Sequence, residues 1–61
     1  MIKIEELENK DIGRLVTYTD GAGDIEEGHI TSWNNVYIFV DYGNNCGRGI
    51  STYPCDLKFS I

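Results

Sequence analysis

The chain has 61 residues, 41% of them hydrophobic and 25% charged, with a single proline. A chain of this size is one small domain that buries only about 60% of its unfolded surface, too little to set a deep catalytic cleft inside an independent core. Ten carboxylates against five cations give a net charge of -5, and the five cations form no stripe of the kind that nucleic-acid affinity needs. Such an acidic surface suits a basic protein surface or peptide, although net charge also serves simply to keep a small domain soluble.

Residues 2–4 can start extended, and Glu5-Glu6-Leu7-Glu8 then favours one helical turn, too short to stand alone. Together they make residues 1–10 an N-terminal extension. Arg14-Leu15-Val16-Thr17-Tyr18 is rich in β-branched and aromatic residues and reads as the first long strand. Thr19-Asp20-Gly21-Ala22-Gly23-Asp24 supplies turn chemistry through its glycines and aspartates, so it is a loop.

Residues 25–33 alternate, with Gly28, Ile30 and Ser32 on a small or apolar face and Glu27, His29 and Thr31 on a polar one. This is the second strand, and Gly28 within it marks a bend or a close approach by another segment. Asn34-Asn35 fits a two-residue hairpin turn, since asparagine tolerates the left-handed conformation. Residues 36–42 place Val36, Ile38, Val40 and Tyr42 on one face and Tyr37, Phe39 and Asp41 on the other, as in a central strand of a curved sheet.

Gly43-Asn44-Asn45-Cys46-Gly47 is a second loop, leading into a short strand over 48–52 that can leave an edge open for pairing into a weak dimer. Tyr53-Pro54-Cys55-Asp56 cannot continue that strand, because proline lacks the donor, and a 3₁₀ turn fits. Residues 57–61 alternate once more as the last strand, with Leu57, Phe59 and Ile61 on its apolar face. The expected core is Leu15 or Val16, Tyr18, Ile30, Ile38, Val40, Tyr42, Ile50 and Leu57. The fold class is all-β: five short strands over residues 11–61, curled until the sheet closes on itself and hides its edges.

One possible cysteine pair is a thin basis for a disulfide scaffold, so Cys46 and Cys55 are read as free thiols. Met1-Ile2-Lys3-Ile4-Glu5-Glu6 has neither the basic start nor the apolar run of a signal peptide. No stretch approaches the roughly 20 apolar residues of a membrane span. The expected location is the cytoplasm.

In strand and turn order the chain resembles the SH3-like barrel family, and within it the Tudor-like and KOW-like variants. The features that carry the likeness are Ile12-Gly13-Arg14-Leu15-Val16-Thr17-Tyr18, Glu27-Gly28-His29-Ile30, Ile38-Phe39-Val40-Asp41-Tyr42 and Pro54-Cys55-Asp56-Leu57. The segments Asp11-Ile12-Gly13-Arg14, Glu27-Gly28-His29-Ile30-Thr31-Ser32-Trp33-Asn34 and Ile38-Phe39-Val40-Asp41-Tyr42 are also similar to parts of small phage- and prophage-encoded proteins. This second likeness implies a mobile-element origin and a host cytoplasm, but it brings no agreed activity. Fold likeness alone assigns no function.

Tudor-type barrels hold methylated lysine or arginine in an aromatic cage, and a cation over a ring gains about 0.5–2 kcal/mol. By that resemblance Trp33, Tyr37, Phe39, Tyr18, Tyr42 and Tyr53 are cage candidates, while the ordinary role of large rings in a small domain is to fill the core. Trp33 and Tyr37, flanking the Asn34-Asn35 turn, are the better surface candidates, being of the residue types that anchor interfaces. Asp20, Asp24, Glu26 and Glu27 lie in or beside the loop that helps SH3 domains hold basic ligand residues, although a solvated loop needs no ligand.

The spacing Asp20-Gly21-Ala22-Gly23-Asp24 lacks the closing glutamate of a calcium loop. Gly21-Ala22-Gly23-Asp24-Ile25-Glu26 lacks the last glycine and the strand-to-helix setting of a dinucleotide site. His29, Cys46 and Cys55 have no zinc spacing and no orienting third group for nucleophilic chemistry. No cofactor, metal or catalytic residue is therefore assigned.

The expected protein is a non-enzymatic binder of a basic protein surface or peptide, monomeric or weakly dimeric, acting through Trp33, Tyr37, Asp20, Asp24, Glu26 and Glu27. One alternative is a phage counter-defence inhibitor whose carboxylates occupy the nucleic-acid site of a host enzyme. Another is a KOW-like nucleic-acid binder, which the charge disfavours.

Overall fold

Where β-branched and aromatic residues first dominate, the chain enters a sheet: β1 is Leu15–Thr19, followed by β2 (Ile25–Trp33), β3 (Ile38–Asp41), β4 (Ile50–Thr52) and β5 (Leu57–Phe59). The structure is a computed structural model that describes residues 1–43 and 49–60. All pairings are antiparallel, in the order β4-β3-β2-β1-β5. The only helical elements among the described residues are 3₁₀ turns at Ile4–Glu6, Asn9–Asp11 and Pro54–Asp56. The all-β expectation and the turn before the last strand both hold.

Closure of the sheet does not. β4 and β5 are its two edges, and no ladder joins them among the described residues. The three-residue β4 runs into Tyr53 and the Pro54–Asp56 turn, which crosses between the edges without ladder pairing. Residues 44–48 and 61, and with them the expectations for Cys46, for the start of the fourth strand and for the end of the fifth, lie outside the described residues.

Directly paired residues share a face of the sheet. Val16, Ile30, Ile38, Val40 and Leu57 meet on the inner face as the core, each at most 1% exposed. Ile2 joins them at 3%, and its N–H donates to the Pro54 carbonyl at 3.1 Å. Full burial of such a side chain stabilises by about 1.5–3 kcal/mol, so this residue of the N-terminal extension is part of the folded unit. Ile50, expected in the core, is 45% exposed. Tyr18, Tyr42 and Phe39 are only half-buried, the first two packed against the core's edge.

β2 carries a bulge that the alternation did not anticipate. Ile30 pairs with Val40 but Ser32 pairs with Phe39, so Thr31 is the extra residue, its hydroxyl donating to the Phe39 carbonyl at 3.0 Å. The added residue turns Ser32 outward and brings Trp33 onto the inner face beside Ile38, half-buried against the core.

In the hairpin that follows, the last ladder pair is Trp33 with Ile38 and the Asn34 N–H donates to the Tyr37 carbonyl at 3.0 Å, so the tight turn centres on Asn35-Val36 rather than on Asn34-Asn35. The Asn34 carboxamide oxygen accepts from the N–H groups of Val36 and Tyr37 at 2.8 and 2.7 Å, which withholds them from a ladder and leaves Val36 56% exposed. At Gly28 the expected close approach is present, since a Cβ there would lie 2.6 Å from Val40 Cγ1 and 2.7 Å from the Asp41 carbonyl oxygen.

The extension is tied down at its far end by Asp11. The Glu8 N–H donates to Asp11 Oδ2 at 2.9 Å and the Arg14 guanidinium to Oδ1 at 3.1 Å, while that guanidinium lies 3.8 Å over the Phe59 ring of β5. The Glu8 hydrogen bond and, after it, Arg14 hold the Asp11 carboxyl below its ordinary pKa, against the opposing pull of desolvation.

Candidate functional site

The inner face has more positions than the core fills. Two residues beyond Val16 and Val40 stand Tyr18 and Tyr42, and two residues before Gly28 stands Glu26, paired across the ladder with Tyr18. These three side chains face a groove of about 320 Å³, whose other wall is Ile50, Ser51 and Thr52 of β4, with Tyr53 and Asp56 at the 3₁₀ turn. The groove thus lies where the apolar face runs past the closed core toward solvent.

Hydrogen bonds and ring contacts set its geometry. The Tyr18 and Tyr42 rings meet edge-on, with centroids 6.0 Å apart at 61°. The hydroxyls of Tyr42 and Thr52 are 2.9 Å apart, and the Thr52 hydroxyl donates to the Ile50 carbonyl at 3.2 Å, which makes Tyr42 the donor of the pair. Tyr53 packs against Tyr37 at 5.1 Å between centroids.

Burial raises the Tyr42 pKa, partly offset because the Thr52 hydroxyl can turn to donate to the phenolate. Its hydrogen bond with Tyr37, above all, raises that of Tyr53. Both phenols are therefore neutral around pH 7, and the charge of the described lining comes from Glu26 and Asp56. No cation stands among these lining residues. The result is an open aromatic groove with a negative rim.

The site residues inferred from the sequence divide. Glu26 is in the groove, and Tyr37 reaches it through Tyr53. Trp33 packs against the core. Asp20 shapes its own loop: Oδ1 accepts from the Ala22 and Asp24 N–H groups at 2.8 and 3.0 Å, and Gly23 takes the left-handed turn at φ 87°. Asp24 is exposed on that loop, and Glu27, opposite Thr17, is exposed on the outer face.

Sequence reasoning missed Asp56 as a groove residue, held Tyr53 only among the cage candidates, and favoured the core for Tyr18, Tyr42 and Ile50. One signal was present at three of these positions: 18, 42 and 53 hold tyrosine rather than phenylalanine, a ring whose hydroxyl seeks water or a partner. Among the described residues no group of three or more His, Cys, Asp and Glu side chains is placed to hold a metal, and Cys55 is an exposed free thiol. No described helix is long and apolar enough to cross a membrane. No family model, curated protein or solved structure matches the chain.

Proposed function

We propose that the chain is a non-catalytic, SH3-like protein-binding module that takes a basic side chain of a partner protein in the groove between Tyr18, Tyr42 and Tyr53. The observation that carries this reading is the pairing of aromatic walls with two carboxylates, Glu26 and Asp56, in one open groove. Ring faces and carboxylates both attract lysine and arginine, and a ring contact alone contributes about 0.5–2 kcal/mol. The strand order β4-β3-β2-β1-β5 and the 3₁₀ turn between β4 and β5 support the SH3-like architecture.

The test uses two substitutions of equal charge on opposite faces. A fluorescein-labelled peptide rich in lysine and arginine is titrated against the wild type, Glu26→Lys and Glu27→Lys, with anisotropy as the readout. Glu26→Lys weakens binding by about tenfold or more, as loss of a site charge does, while Glu27→Lys stays within about twofold. Equal losses from both, or no binding to the wild type, contradict the reading.

A further inference from the structure

Ile50, Ser51 and Thr52 all border the groove, although they are successive residues of one strand. Side chains on a strand point alternately to opposite faces, so a cavity that touches three in a row reaches the strand's backbone as well as its inward side chains. β3 occupies one edge of β4. Among the described residues no strand pairs with the edge toward the groove, and such an edge offers unpaired N–H and C=O groups.

We propose that the partner's basic segment binds as an extended strand added to the free edge of β4, directing one cationic side chain onto the Tyr18 and Tyr42 rings beside Glu26. This rests on the groove being the binding site and adds how it is read: main-chain hydrogen bonds to β4 supply grip, and the aromatic, acidic wall opposite selects the charge. Charge complementarity favours a foreign basic strand over a second copy of this chain. The β4 residues Ile50, Ser51 and Thr52 carry no cation, and two chains of net charge -5 repel.

The probe is the peptide Ac-Thr-Val-Lys-Val-Thr-amide, compared with forms N-methylated at both valines or at the lysine, and with a norleucine form. In an added strand, alternate N–H groups point to the neighbour, so one methylation pattern weakens binding by about tenfold or more and the other changes it by about twofold at most. Norleucine in place of lysine also weakens it by about tenfold. Equal binding by both methylated forms overturns strand addition and leaves the groove reading standing. Indifference to norleucine, or no binding by any form, overturns both. Sedimentation showing a peptide-resistant dimer paired through β4 assigns the edge to a second copy and overturns the proposal.

Discussion

The Tyr42 hydroxyl reaches across to the Thr52 hydroxyl at 2.9 Å, and this contact joins the end of β3 to the edge strand β4 over the groove floor. Thr52 is buried at 6% exposure and its hydroxyl donates to the Ile50 carbonyl, so the two bonds fix both the tyrosine ring and the strand that line the groove.

Tyr42→Phe removes that donor and leaves the ring. The expected cost is about 0.5–1.5 kcal/mol, the usual net worth of one hydrogen bond, read from the urea midpoint. The variant also changes the alkaline limb. Because the folded state holds the Tyr42 proton more tightly than the unfolded chain, the associated stability is complete below about pH 10 and is lost as pH rises through the higher folded value. Tyr42→Phe flattens the fall of stability above about pH 10, and an unchanged alkaline limb contradicts the burial of this hydroxyl.

Asp11 works in the opposite direction. Its folded pKa is lowered, first by the Glu8 N–H, so its contribution is complete above the ordinary carboxylate value of about 4 and is lost as pH falls through the lower folded value. Asp11→Asn lowers the denaturation midpoint at pH 6 and makes it less sensitive to acid below about pH 4 than the wild type. Parallel curves for the two proteins rule out this role.

Ile2→Ala tests whether the first residues belong to the folded unit. Truncating a core side chain costs about 2–5 kcal/mol, a large part of what a domain of this size possesses. Chemical denaturation checks it, and a loss below about 0.5 kcal/mol, the range of surface substitutions, contradicts the burial of Ile2.

Gly28→Ala places a methyl against Val40 Cγ1 and the Asp41 carbonyl, so it destabilises by about 1–3 kcal/mol. Gly21→Ala is the control, since a methyl there would meet nothing within 4 Å, and it stays within about 0.5 kcal/mol. Equal midpoints for the two variants contradict the close packing of β2 on β3 at Gly28.

What the sequence disclosed depends on whether local chemistry decided the outcome. β1, the Gly28 approach, the loop with Asp20 and Gly23, and the turn at Pro54 were legible, because propensity, side-chain-to-backbone bonding and the missing proline donor act within a few residues. The Thr31 bulge was not legible: alternation continued through Ser32, and only pairing with Phe39 reveals the extra residue that turns Trp33 inward. Ile2 was equally hidden, since its burial depends on Pro54, 52 residues away. The groove was half-legible. Glu26 was singled out, but that the core ends at Val16 and Val40, leaving Tyr18 and Tyr42 at a wet margin, is a property of the packed sheet rather than of any window of sequence.

Amide chemical-shift mapping with Ac-Thr-Val-Lys-Val-Thr-amide tests the groove most directly. Saturable shifts concentrated at Tyr18, Glu26, Tyr42, Tyr53, Asp56 and the β4 residues are the predicted result. Shifts confined to the loop of Asp20 and Asp24, or to the outer face around Glu27, contradict it.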